Sequence, residues 1–147
     1  MKRLSIILVS FATLALTSCG ILNSSSNSAA TALGQTCGAA VLGLYQSYKA
    51  TGSLSLTTGN NLTNALTLAT CYTQLSQNKD NSNYRKAFAS GLVLSSAGLI
   101  TNQNSATFIN ALLGTSSLAT VNSTSTPTQL NKTTPAVTNL IATLDKK

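Results

Sequence analysis

The chain has 147 residues, nine Lys/Arg against two acids, no histidine, and a formal charge of +7. That length allows one domain with a real core. The absence of His and Glu removes the commonest general base, the commonest metal ligand and half of the carboxylate repertoire. The basic residues are scattered, only Arg85-Lys86 and Lys146-Lys147 being adjacent within the domain, so nucleic acid is not an expected partner.

The chain opens MKRLSIILVSFATLALTSC. Lys2 and Arg3 precede an uncharged, mostly apolar run from Leu4 to Leu16, and Thr17 and Ser18 are small residues before Cys19. Charge, short apolar core and small residues form the layout of an export signal. The run is well short of the roughly 20 residues that span a bilayer. Leu16-Thr17-Ser18-Cys19 resembles the lipobox of bacterial lipoprotein precursors. The resemblance covers residues 1–20. It implies removal of residues 1–18 and a diacylglycerol on the Cys19 thiol, usually with an amide-linked acyl chain such as palmitate. Two or three acyl chains hold a protein firmly where one binds marginally. Gly20, in place of the aspartate of inner-membrane lipoproteins, implies the outer membrane. No acid occurs in 21–30, which implies that the protein faces the periplasm.

Without residues 1–18 the chain loses Lys2 and Arg3, leaving seven basic residues against Asp80 and Asp145, a formal +5. Ser, Thr, Asn and Gln carry solubility instead. Residues 19–28 form the lipidated cysteine and a Ser/Asn-rich tether. Residues 29–147 are expected to be one all-α domain, a compact bundle of four to five helices.

The first helix is expected over about 29–50. Leu33, Cys37, Val41, Leu44 and Tyr48 recur at three- and four-residue spacing, and Ser28 is the candidate N-cap. Gly34 and Gly38, four apart, suggest close approach of a neighbouring helix. Residues 51–60 form a connector in which Leu54 and Leu56 alternate with Ser, compatible with a short strand. A second helix is expected over 61–78, with Leu62, Ala65, Leu66, Ala69, Tyr72 and Leu75 as its stripe and Asn60 or Asn61 as cap. A third runs over 83–101, capped by Asn81 or Ser82. Tyr84, Phe88, Leu92, Ser95 and Leu99 form one face, and Ala87, Gly91, Leu94 and Gly98 the next. It is apolar nearly all round, as a buried central helix would be. A fourth covers 105–114 with Ser105 as cap, Phe108, Ile109, Leu112 and Leu113 inward, and Gly114 as stop. Residues 115–133 read as a long polar loop. The last helix is expected from Thr134 as cap and Pro135 in the first turn, with Val137, Leu140, Ile141 and Leu144 inward.

Cys37 and Cys71 form an even pair in an oxidising compartment. If the first two helices form a hairpin, the two cysteines differ in level by roughly 4–5 Å, less than one turn. A disulfide fits, and two buried thiols acting as small hydrophobes are the alternative. Two Cys, no His and two separate Asp cannot supply four metal ligands, and no cofactor motif occurs.

The inventory points away from an enzyme. Asp80 and Asp145 lie in solvated contexts, unlike a glycosidase pair. Ser76-Gln77-Asn78-Lys79 matches S-x-x-K, but the S-D-N and K-T-G elements that accompany it are absent. The expected function is a lipid-anchored, non-catalytic envelope protein acting by binding or scaffolding. Its partners would be the membrane, through its lipid, and an envelope protein or the cell wall. That reading predicts an exposed apolar patch or groove near Tyr84-Arg85-Lys86 or on the last helix. The alternative is a periplasmic carrier of a small apolar ligand held between helices. Tyr45, Tyr48, Tyr72, Tyr84 and Phe88 read as packing residues.

Overall fold

The computed structural model describes residues 26–57 and 59–146. The expected signal peptide over 1–18, Cys19 and the expected tether as far as residue 25 lie outside the described residues. The fold is all-α. Among the described residues five helices follow one another: α1 Ser26–Thr51, α2 Gly59–Gln77, α3 Ser82–Ser95, α4 Ser105–Leu113 and α5 Pro127–Ala142. Short 3-10 turns cover Ser116–Thr120 and Thr143–Asp145. No strand occurs among the described residues. None of the described helices is long and apolar enough to cross a membrane.

One core draws on every helix. Val41 and Leu44 of α1 meet Leu68 and Cys71 of α2, Phe88 and Leu92 of α3, Ile109 and Leu112 of α4, and Val137 and Ile141 of α5. All buried apolar residues among those described fall between Ala30 and Leu144. Leu54 and Leu56 of the connector are buried in the same core, so their alternation with serine serves inward packing without a strand. A smaller cluster joins Ala69, Val121 and Leu130.

The tightest helix pair is α1 with α3, and glycine makes it possible. A Cβ on Gly34 would collide with the Phe88 carbonyl oxygen, and one on Gly91 with the Thr31 carbonyl. A Cβ on Gly38 would collide with the Ser95 hydroxyl and sit 2.8 Å from the Leu92 carbonyl. These backbones touch because no side chain separates them. The register also fixes direction. Gly34 faces Phe88 and Gly91, and Gly38 faces Leu92 and Ser95, so α1 and α3 run parallel. Cys37 meets Cys71 and Gly43 meets Asn64, so α2 runs antiparallel to both. The start of α1, the end of α2 and the start of α3 therefore share one end of the bundle.

Element ends differ from the sequence expectation where side chains form local hydrogen bonds. The tether was expected to reach residue 28, but α1 is already helical from Ser26, with the Thr31 hydroxyl donating to the Asn27 carbonyl at 2.9 Å. Ser28 is thus inside the helix. Asn81 caps α3 by accepting from the Tyr84 N–H at 3.1 Å. That helix stops at Ser95, short of residue 101, because Ala97 (φ 51°) and Gly98 (φ 84°) turn left-handed. The buried Ser96 hydroxyl then accepts from the Ile100 N–H at 3.0 Å and holds the turn. Asn104, one residue before the expected cap Ser105, precedes α4. Its side chain accepts from the Thr101 N–H at 2.7 Å.

The largest correction concerns 115–133, expected to be loop. Ser116–Thr120 forms a 3-10 turn, and α5 begins at Pro127, with Pro135 inside it. Thr126 and Gln129 make a reciprocal capping box: the Thr126 hydroxyl accepts the Gln129 N–H, and the Gln129 side chain accepts the Thr126 N–H. Such a box satisfies two otherwise orphaned donors. Pro135 removes one backbone donor from the helix interior. In the same turn Thr133 and Thr134 donate side-chain hydrogen bonds to the Gln129 and Leu130 carbonyls. The segment is polar on its outer side but contributes buried Leu118, Val121, Leu130 and Thr133.

Candidate contact surface at the α3–α4 groove

The structure brings together Cys37 and Cys71. Their Cα atoms are 6.3 Å apart and the sulfurs are bonded, which ties α1 to α2. Both cysteines are fully buried.

Asp80 and Asp145 are not brought together. Asp80 is exposed in the turn after α2. Asp145 accepts from the Tyr45 hydroxyl at 2.9 Å and from the Lys49 ammonium at 3.1 Å. Those partners stand near the end of α1, opposite the end that receives the α2–α3 turn. Tyr45 and then Lys49 hold the Asp145 carboxyl below its usual range by hydrogen bonding, and Asp145 in turn raises both partners. This cluster clasps the C-terminal turn to α1. Ser76 and Lys79 are exposed. No group of three His, Cys, Asp or Glu able to hold a metal occurs among the described residues.

The aromatic residues pack. Tyr84 and Phe88 are buried, while Tyr45, Tyr48 and Tyr72 lie half-buried against the core. Burial raises the Tyr84 hydroxyl above its ordinary pKa.

A groove of about 300 Å³ opens between α3 and α4. Ala89, Ala106 and Ile109 are its apolar lining, and Ser82, Arg85, Lys86 and Ser105 complete it. The spacing of Arg85, Lys86 and Ala89 is one helical turn, which places them along one side of α3. The Arg85 guanidinium donates to the Asn110 side-chain oxygen at 2.7 Å, a neutral partner across the groove. Lys49–Asp145 is the salt bridge formed among the described residues, so neither Arg85 nor Lys86 is ion-paired with a carboxylate among them. The groove's lining contains hydroxyls and two cations, with no carboxylate or imidazole that could serve as a base.

The sequence located this surface from one side. Arg85 and Lys86 form one of the two adjacent basic pairs of the sequence, but Ala106 and Ile109 enter only because α4 folds back beside α3. Leu94, expected to face inward, is 70% exposed two turns further along α3. Packing of that helix is concentrated on its α1 side, and a 14-residue helix that meets its main neighbour through glycine leaves its outer side open.

The fold and surface define a disulfide-braced, all-α bundle with a groove lined by apolar and basic residues. The chain matches no family model, no curated protein and no solved structure, so its own residues carry the functional reading.

Proposed function

We propose that this is a lipid-anchored, non-catalytic cell-envelope protein that works by contact, with Cys19 as the acylated residue. The observation that carries the contact reading is the α3–α4 groove. It pairs an apolar lining with two cations that have no carboxylate partner among the described residues. The lipobox at 16–19 supports the anchor, and Gly20 supports placement at the outer membrane facing the periplasm. The groove is open to solvent, which favours contact with a surface or partner over enclosure of a small apolar ligand.

Two measurements test the two halves. Intact mass of protein extracted from membranes should show loss of residues 1–18 and added acyl mass on Cys19. Retention of the leader, or an unmodified cysteine, refutes the anchor. A photocrosslinking side chain at Ala106 should give discrete adducts in intact cells, reduced by R85E/K86E. Absence of any adduct refutes the contact surface.

A further inference from the structure

We infer that the groove end of the bundle rests on the anionic phospholipid headgroups of the membrane that holds the protein. This deepens the anchor reading and rests on it. Three independent features converge on one end.

The first is helix direction. With α1 and α3 parallel and α2 antiparallel, Lys79, Arg85 and Lys86 stand level with the first two turns of α1. Lys79 and Lys86 are exposed and Arg85 half-buried. None of the three is in a salt bridge among the described residues, although Asp80 adjoins Lys79 and offsets part of the charge.

The second is reach. Seven residue steps separate Cys19 from Ser26, and a fully extended chain covers at most about 25 Å in that distance. The start of α1 is therefore held within about 25 Å of the interface in every pose. The far end of α1 lies about 39 Å further along the helix. There Lys49 is paired with Asp145, and Lys146, exposed among the described residues, is followed in sequence by Lys147, so reach rather than charge distinguishes the two ends. That end meets the headgroups only when the domain leans over.

The third is the groove itself. Ala89, Ala106 and Ile109 line it together with Arg85 and Lys86. Long basic side chains in such a lining can reach phosphate while their stems cover apolar surface. A lone cationic cluster this small would bind a membrane weakly. The lipid supplies the effective concentration, and the cations then select the pose.

The test uses the full-length acylated protein in vesicles of phosphatidylcholine, with or without added phosphatidylglycerol. A dye is placed on S82C, at the groove, or on A50C, at the far end of α1, and a headgroup-labelled quencher lipid reports proximity. The dye at position 82 should be quenched more than the dye at 50, and only when phosphatidylglycerol is present. Each Lys or Arg near an anionic surface shifts such an equilibrium by about fivefold, so R85Q/K86Q should reduce the bias by about 25-fold. Salt near 1 M, where screening acts within about 3 Å, should abolish it. Equal quenching at the two positions, or an unchanged bias in R85Q/K86Q, overturns the proposal. So does a protein adduct at Ala106 accompanied by no dependence on phosphatidylglycerol. A chain carrying a hexahistidine tag in place of residues 1–19, held on nickel-chelating lipid, repeats the measurement without acylation and keeps every described core residue. An unmodified Cys19 then refutes the anchor alone, while loss of the bias on the tagged chain refutes the lipid contact.

Discussion

Gly34 shows how much one missing Cβ can decide. In an isolated helix, Gly→Ala is favourable by about 0.5–1 kcal/mol. At Gly34 the added methyl would enter the Phe88 carbonyl, a backbone atom that cannot swing away. Gly34→Ala should therefore destabilise the protein by at least about 2 kcal/mol, an overpacking cost, measured by urea unfolding. Gly114→Ala is the contrast. Gly114 has φ −74° and its nearest neighbours to a new Cβ lie at 3.4 and 3.5 Å. Its change should stay within about 0.5 kcal/mol of the parent. Equal effects at the two sites would contradict the backbone contact of α1 and α3. Asp145 gives a pH signature at the opposite end. Its pKa is lowered in the fold by Tyr45 and Lys49, so its contribution is present above the ordinary carboxylate range and is lost as pH falls through the lowered value. Protection of the amides of residues 143–146, taken relative to intrinsic exchange at each pH, should fall below about pH 4, while the α1–α3 contact stays protected. Lys49 and Tyr45 are raised, so their share is lost only on the strongly alkaline side. Uniform protection across the acid range would remove the clasp.

Helix α5 illustrates how a local cap outweighs an unfavourable residue. Pro135 is a good first-turn residue, and a helix beginning there would avoid its cost. The chain instead starts eight residues earlier, because Thr126 and Gln129 close a capping box and Pro127 occupies the first turn. The earlier start buries Leu130 and Thr133. Thr126→Ala should cost about 1 kcal/mol and fray the first turn, read as lost helical signal for residues 127–131 by NMR. If the helix instead persists unchanged from Pro127, the box is not what starts it. Helix α3 shows the reverse error. Its apolar residues encircle the helix in sequence, yet Leu94 is exposed, because the two sides of the helix meet different neighbours.

Across the molecule, the disulfide joins the two longest helices within one core. Closing a loop of about 35 residues restricts the unfolded chain by about 3–4 kcal/mol in the entropy account. Reduction, or C37S/C71S, should lower unfolding stability by about that amount in urea titration. Neither cysteine should react with an alkylating agent until reductant is added. Ready alkylation in the folded, unreduced protein would show the bridge absent. The same bridge fixes α2 antiparallel to α1, and thereby helps gather Lys79, Arg85 and Lys86 at the end where α1 begins.

Much of this architecture was legible from residue order. The three- and four-residue spacing of Cys37, Val41 and Leu44 declares a helix and its inward side, because a helical period selects its own buried face. The level of Cys37 against Cys71 anticipated their bond, and Gly34 with Gly38 anticipated close packing. On the second helix the stripe was rotated. Leu68 and Cys71 are fully buried while Leu62 and Leu66 are half-buried, since the covalent bond to α1 sets which side faces in. The groove was half legible: Arg85 and Lys86 stand out as a charged pair, whereas Ala106 and Ile109 are unremarkable until α4 lies beside them. Periodicity and caps act over a few residues and can be read along the chain. Which neighbour covers each face depends on contacts between distant segments, and only the packed bundle decides that.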